Sequence, residues 1–220
     1  MKVNLVEIEE DLQYINVASS RNTGEHGLIR LILSSMADAE EISNITPRDI
    51  AVKQTEKGEI FYVYLKKSGN VRKAPVDRKT YTILKEISDS IPKKSKIFNY
   101  TQREIDEIIA RYSPMGRRYS HRYLIRSVKT IISDNLLGRD VDDLKSANIE
   151  ELWRFMNDFH PIFSGMWDLD EDDVAFDYFQ MLSERHGISS YSEMAEISGE
   201  KEERIEKLMK RGWFRNCMDS

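Results

Sequence analysis

Cysteine is almost absent from this chain, and histidine is scarce. The one cysteine, Cys217, leaves no second thiol for an internal disulfide and no set of thiolates for a zinc site. The four histidines, His26, His121, His160 and His186, are scattered without a ligand spacing such as H-x-x-x-H. We therefore expect no metal, no cofactor and a reducing, cytoplasmic location.

Long apolar runs are also missing. No stretch approaches the roughly 20 apolar residues of a membrane-spanning helix, so we expect no membrane partner. The amino-terminal stretch MKVNLVEIEEDLQYINV has no basic start and mixes acids with its apolar residues, unlike a secretory signal. Hydrophobic residues make up 40% of the chain and charged residues 32%. That balance supplies a packed core and excludes wholesale disorder.

Positive charge is in deficit overall but concentrated locally. The chain has 33 Lys+Arg against 38 Asp+Glu, a net charge of -5 at pH 7. Residues 66–129 nevertheless hold 17 Lys+Arg against 6 Asp+Glu, a net charge of +11, whereas residues 1–65 hold 6 against 11. A local excess, more than the total, indicates which surface meets a polyanion. The candidate functional surface is therefore expected within residues 66–129.

Hydrophobic periodicity predicts a mainly α chain with a small three-stranded antiparallel β-sheet. Helical spacing covers residues 3–18 and 28–45, with a kink before Asp38. A period of two then gives the strands IAVKQT, IFYVYLKK and VRKAPV, separated by turns at EKGE and SGN. Helical patterns return at 77–91, 101–112, 120–135, 141–147 and 148–159.

The stretch HPIFSGMWDLDEDD, with its proline, glycine and acidic run, predicts a domain boundary. Three short helical patterns follow it, separated by Gly187 and Gly199, and together they resemble a helix-turn-helix unit. Residues 200–203 read EKEE, and these carboxylates would repel phosphate, so we expect a protein partner or self-association for this unit. The predicted divisions are an N-terminal helix over 1–23, a main domain over 24–162 and a small helical C-terminal domain over 166–220.

The segment from EISNITPRDIAV through IFYVYLKKSGNVRKAPV to the next helix resembles the catalytic domain of the tyrosine recombinases, the phage integrase family. Glu41 matches the family's helix glutamate, and Pro47–Ile50 match its exit into the sheet. Lys67, Arg72 and Pro75 match a K-x-x-x-x-R-x-x-P hairpin. The resemblance covers roughly residues 25–160, and it implies that family's catalytic-domain fold and double-stranded DNA as the partner.

Downstream, YLIRSVKTII resembles the family's H-x-L-R-H-T helix. In one register Arg126 takes the arginine position and Tyr123 the first histidine. In the competing register His121 takes the histidine position and Leu124 the arginine. We prefer the first register because it keeps the positive charge and the spacing of the apolar residues.

The resemblance implies a reaction in which two arginines and a lysine surround a phosphate that a tyrosine attacks. Two of these groups are missing where the resemblance places them. The first arginine position holds Asp38, and residues 124–177 contain no tyrosine. Lys67 and Arg126 remain as relics, while the spacing of Arg30, two helical turns before Asp38, does not require it to join the site. We therefore assign no catalytic residue, and the sequence favours a protein that is not an enzyme over one that is.

The prediction is a DNA-binding protein on a degenerate recombinase scaffold, with an accessory or regulatory role at DNA. Two alternatives stay open. One is an active, divergent recombinase that uses Tyr112, Tyr119, Tyr123 or Tyr178, and the other is a protein-interaction module without nucleic acid. The candidate DNA-binding residues lie on the hairpin and on the loop and helix after residue 116: Lys66, Lys67, Arg72, Lys73, Arg117, Arg118, His121, Arg122, Arg126 and Lys129.

Overall fold

The computed structural model describes residues 4–56, 58–135 and 148–218. The first part contains α1 (Leu5–Ala18), α2 (Thr23–Ser35), α3 (Ala39–Ser43), β1 (Ile50–Thr55), β2 (Gly58–Lys67), β3 (Asn70–Pro75) and 3-10 turns at Ser19–Arg21 and Pro47–Asp49. The second part contains α4 (Arg78–Asp89), α5 (Gln102–Arg111), α6 (His121–Asn135), α7 (Ile149–Phe159), α8 (Pro161–Ser164), α9 (Asp172–His186), α10 (Tyr191–Ser198) and α11 (Glu202–Met218). The helix predicted over 141–147 lies outside the described residues.

The three strands form one antiparallel sheet in the order β1-β2-β3. In the register of this sheet, Val63 of β2 lies opposite Ile50 of β1 and Ala74 of β3. Because side chains alternate between the two faces of a strand, Phe61, Val63 and Leu65 all point into the core. The prediction of a mainly helical chain with a three-stranded antiparallel sheet is confirmed.

Helix α2 lies at the centre of the main core. Its run LIRLIL has apolar residues on every side and one charged residue, Arg30, so the helix must be covered on every side. Helices α1, α4 and α6 pack around it. The helix ends at Met36, which adopts a left-handed conformation with φ of 52°. Asp38 then caps α3, so the predicted kink is a complete break between two helices.

The solvent face and the core face of α6 are well separated. Leu124, Val128 and Ile132 are buried, and their spacing of four residues is that of one helical stripe. Arg122 and Arg126 lie on the exposed side of the same helix. The sequence spacing therefore positions these two arginines away from the core.

Three helices follow residue 166, as the sequence predicts. Gly187 and Gly199 cap α9 and α10 in the left-handed conformation, with φ of 68° and 75°. The three helices enclose a second cluster of buried apolar residues, to which α1 contributes Val17. Helix α1 also gives Leu12 and Ile15 to the main core, so it lies between the two clusters. The domain boundaries at 23 and 162–166 stay predictions.

Candidate nucleic-acid interface

The tip of the β2–β3 hairpin lies against the amino-terminal end of α3, so its cations meet carboxylates. Lys67 Nζ is 2.5 Å from Asp38 Oδ2. Arg72 donates from Nε and from one terminal nitrogen to the two carboxylate oxygens of Glu41, at 2.7 and 2.9 Å. Partial burial alone would raise the pKa of Asp38, but Lys67 and the α3 backbone lower it. The carboxylate of Asp38 is therefore charged at neutral pH.

The same pairing continues along the hairpin. Lys66 donates to Asp49, a buried carboxylate that also accepts from the backbone N–H and the hydroxyl of Thr46, at 2.9 and 2.8 Å. The backbone N–H and hydroxyl of Ser68 donate to Glu40, at 2.9 and 3.1 Å. Four carboxylates thus surround the hairpin tip, and we call them the acidic collar: Asp38, Glu40, Glu41 and Asp49.

The remaining hairpin cation, Lys73, is held differently. Its ammonium lies 5.7 Å from the ring centre of Tyr62 and 5.8 Å from that of Tyr64. These are cation–π distances, and such contacts leave the ammonium charge uncancelled. Of the four hairpin cations, Lys66, Lys67 and Arg72 are thus neutralised by the acidic collar and Lys73 is not.

His121 does not reach the surface. Its side chain is 1% exposed, and its Nε2 lies 2.8 Å from the carbonyl oxygen of Ala37. Leu124, its partner in the competing recombinase register, is fully buried. Tyr123 is 46% exposed, and Arg126 is exposed as well, so the preferred register describes surface residues. His121 is removed from the candidate DNA-binding residues because a phosphate cannot reach its buried ring.

Arg117 is occupied by two acids of α1. Its guanidinium donates to Glu7 at 2.5 Å and to Asp11 at 2.7 Å. Asp11 is fully buried and also accepts from the hydroxyl of Tyr119, at 2.7 Å, and from Arg185 of α9, at 2.9 Å. Arg117 therefore holds its loop against α1 and contributes little free charge.

Besides Lys73, three predicted arginines remain available. Arg118, Arg122 and Arg126 have exposed side chains, and none of them forms an ion pair within residues 4–56, 58–135 and 148–218. Arg126 also borders an open cleft between α6 and the start of α1, which Lys129 lines as well. These three arginines, together with the half-buried Lys129, are called the α6 basic face: Arg118, Arg122, Arg126 and Lys129.

Comparison with known proteins finds a relative that matches nearly the whole chain. No family model matches the sequence. An uncharacterized protein of Archaeoglobus fulgidus is 32% identical over 210 residues, which are 96% of this chain and 95% of that protein. This chain belongs to the same family. The family relationship extends over nearly the full length of both proteins and so includes the hairpin, α6 and the C-terminal helices.

The crystal structure of XerA recombinase is similar in fold to this family member. The TM-score is 0.48 at 13% sequence identity, and the alignment covers 80% of this chain and 64% of the XerA chain. This chain thus spans less than two thirds of that structure. At this level the likeness concerns the fold alone, and function has to be inferred from this chain's own side chains.

Two of the four candidate tyrosines donate their hydroxyl groups to acids. Tyr112 donates to Glu25 at 2.5 Å, and burial together with that carboxylate raises the pKa of Tyr112 to about 12. Tyr119 donates to Asp11, and burial together with Asp11 raises the pKa of Tyr119 even further. A phenol with a raised pKa gives up its proton less readily and is a weaker nucleophile.

The other two tyrosines have opposite environments. Tyr178 is 1% exposed within the C-terminal cluster, and burial raises its pKa well above the usual value. Tyr123 is 46% exposed and stands edge-on to Tyr119, with ring centres 4.9 Å apart. Tyr123 is therefore the most exposed of the four tyrosines, and it lies between Arg122 and Arg126 in the sequence of α6.

Arg30 is the residue whose role the sequence spacing left open. It is fully buried in α2, 2.7 Å from Asp77 and 2.5 Å from Asp168. Its Nε also donates to the hydroxyl of Thr80 at 3.1 Å. Burial disfavours the charge, but the two carboxylates hold the pKa of Arg30 above its usual value. A charged residue inside an otherwise apolar helix is the signal that could have revealed this buried ion pair.

Two features are absent from the described part of the chain. No cluster of three or more His, Cys, Asp or Glu side chains there could hold a metal ion. No helix there has both the length and the apolar character needed to cross a membrane.

Proposed function

We propose that this protein binds the phosphate backbone of double-stranded DNA through the α6 basic face, in an accessory or regulatory role and without cutting the strand. The observation that carries the proposal is the contrast between two groups of cations. Arg118, Arg122 and Arg126 are exposed and form no ion pair with a described residue, whereas most of the hairpin cations are neutralised. Exposed arginines bind phosphates through charge-assisted, often bidentate hydrogen bonds.

The proposal that no strand is cut rests on two positions. The resemblance assigns an arginine to position 38 and a lysine to position 67, and both would face one phosphate. Here the acid at position 38 and the lysine lie 2.5 Å apart and neutralise each other. The raised pKa values of Tyr112 and Tyr119 also oppose their use as nucleophiles.

The decisive experiment replaces Arg122 and Arg126 by glutamine and measures binding to a random-sequence duplex over a range of salt concentrations. Each phosphate that a protein neutralises adds about 0.9 to the slope of log affinity against log salt. We expect the double variant to lose about 1.8 of that slope. When the salt concentration rises from 50 to 200 mM, the affinity of the unaltered protein for DNA should fall by a factor about 12 times larger than the factor for the variant.

The matched control is Lys85→Gln with Arg103→Gln. These two residues are exposed on α4 and α5, each paired with an acid one turn away, so the change in net charge is the same. If both double variants lose the same amount of salt slope, the loss comes from the change in net charge alone, and the proposal is contradicted. A covalent adduct between Tyr123 and a suicide duplex substrate would contradict the absence of cleavage and favour the active alternative.

Replacing Asp38 by asparagine should strengthen DNA binding. Asparagine retains the helix cap of α3, so the fold is preserved while Lys67 loses its carboxylate partner. One added phosphate contact steepens the salt slope by about 0.9 and makes affinity about 3.5-fold more sensitive to salt between 50 and 200 mM. The control is Glu107→Gln, which releases Arg103 on α5. An identical gain in the control would show that Lys67 gains no phosphate contact of its own.

A partner for the C-terminal helices is a separate proposal. Glu202 and Glu203 are exposed at the start of α11, and Arg204 beside them is paired with Glu200. Such a surface would repel DNA, and it supports the proposal of a protein partner or self-association through residues 166–220.

A further inference from the structure

The loop between α4 and α5 has an uncompensated positive charge. Residues 90–101 read SIPKKSKIFNYT and contain three lysines but no acid. Lys93, Lys94 and Lys96 are exposed, and none of them forms an ion pair with a described residue. The preceding acid along the chain, Asp89, is already paired with Lys85 within α4. The loop therefore presents three positive charges to solvent.

This loop is anchored to the core. The backbone N–H of Ile97 donates to the carbonyl oxygen of Ile45 at 2.9 Å. The ring of Phe98 is buried in the main core, and Ile97 packs against that core. Pro92 accepts a hydrogen bond from the backbone N–H of Ser95 at 2.8 Å, which closes a turn around the first two lysines. An anchored loop loses less conformational entropy when its lysines bind a ligand.

Arg48 lies on the segment to which the loop is anchored. It occupies the 3-10 turn Pro47–Asp49, where Asp49 points inward and binds Thr46 and Lys66. Arg48 itself is exposed and has no acidic partner among the described residues. Since Arg48 is three residues from Ile45 and Lys96 is next to Ile97, their Cα atoms are at most roughly 20 Å apart.

We propose that these cations form a second surface that contacts DNA phosphates, the 48/96 patch: Arg48, Lys93, Lys94 and Lys96. The inference rests on the proposed function and extends it, because it adds a second contact region to the α6 basic face. Along duplex DNA one negative charge occurs about every 1.7 Å, so cations within roughly 20 Å of one another can each contact a different phosphate. Asp49, the acid next to Arg48 in the sequence, does not pair with the patch, since it is buried and bound to Lys66.

The experiment replaces all four residues of the 48/96 patch by glutamine and compares salt titrations on a 30-base-pair duplex. Four lost phosphate contacts reduce the salt slope by about 3.6. When the salt concentration rises from 50 to 200 mM, the affinity of the unaltered protein for DNA should fall by a factor about 150 times larger than the factor for the variant. The matched control replaces four exposed but paired cations by glutamine: Lys53, Lys85, Arg103 and Lys210.

The outcomes separate this inference from the proposed function. If the Arg122→Gln/Arg126→Gln variant loses binding while the patch variant binds as the unaltered protein does, the patch is no contact surface and the proposed function stands. If the unaltered protein shows no salt-dependent DNA binding, the proposed function fails and the inference with it. Equal losses in the patch variant and its control would also overturn the inference. Unchanged thermal unfolding of the patch variant verifies that the comparison is between folded proteins.

Discussion

Replacing Arg30 by alanine is expected to destabilise the protein by about 3–5 kcal/mol, because removing one partner of a buried ion pair leaves the other charge buried and uncompensated. Here two carboxylates would be left, those of Asp77 and Asp168. Lys79, 3.2 Å from Asp168, could compensate only one of them. The measurement is the free energy of unfolding in urea at pH 7.

The control for this prediction is Arg103→Ala. Arg103 is exposed and paired with Glu107 one turn away on α5, so its loss should change the free energy of unfolding by less than about 1 kcal/mol. A triple variant, Arg30→Met with Asp77→Asn and Asp168→Asn, removes all three charges and should recover part of the lost stability. If Arg30→Ala costs no more than Arg103→Ala, the ion pairs of Arg30 do not stabilise the fold.

The Arg30 network explains how distant segments are held together. Asp77 caps α4 by accepting from the backbone N–H of Thr80, and it lies 47 residues along the chain from Arg30. Asp168 lies 138 residues from Arg30, directly after the buried Trp167. One guanidinium thus connects α2, the start of α4 and the segment that leads into the C-terminal helices. That connection joins residues on the two sides of the predicted boundary at 162–166.

The sheet and the α6 basic face could be predicted from local pattern. Strands with one buried face alternate with a period of two, and that period depends only on neighbouring residues. In α6 the spacing of Arg122 and Arg126 puts them on one face for the same reason. The same pattern already contained the correction for His121, because His121, Leu124 and Val128 lie on one stripe of the helix. His121 was predicted to bind DNA because basic residues surround it in the sequence, although its position on the helix indicated that it is buried.

The charge of the hairpin could not be predicted from local pattern. Counting charges by segment assumes that neighbours in sequence compensate one another, but the partners here are distant. Arg72 pairs with Glu41, 31 residues away, and Arg117 pairs with Asp11, 106 residues away. Both acids belong to the acidic first part of the chain. Tertiary ion pairs therefore neutralise most of the hairpin cations, and the uncompensated positive charge lies on α6 and on the loop after α4.

Lowering the pH from 7 to 5 is expected to cost the fold about 4 kcal/mol of stability, through two buried histidines. Burial lowers the pKa of His26 to about 3 and that of His160 to about 4, and the nearby charge of Arg30 acts in the same direction. In the folded protein both rings are neutral at pH 5. His160 bonds through Nε2 to the carbonyl oxygen of Leu33 at 2.7 Å, and His26 bonds through Nδ1 to the hydroxyl of Ser19 at 2.9 Å.

The sign follows from proton uptake in the unfolded chain. An unfolded histidine has a pKa of about 6.5 and binds a proton below that pH, whereas the folded rings stay neutral until the pH approaches 4 and 3. Stability is therefore fully present above about pH 6.5 and falls by about 1.4 kcal/mol per pH unit for each histidine below it. At pH 5 each histidine has then lost about 2 kcal/mol. The pKa of Asp168 is also lowered, but an aspartate contributes only near and below its unfolded pKa of about 3.9.

Urea unfolding at pH 7, 6 and 5 measures this loss, and the variants His26→Asn and His160→Asn assign it. Each variant is expected to be less stable than the unaltered protein at pH 7, because asparagine fills less of the buried space. The pH dependence is the informative quantity, since an asparagine does not titrate. Each single variant should show about half of the decline between pH 7 and pH 5, and the double variant should keep only the smaller part due to His186, whose pKa burial also lowers. A double variant that declines as steeply as the unaltered protein would assign the acid sensitivity to other groups and show that these two rings can accept a proton without unfolding the core.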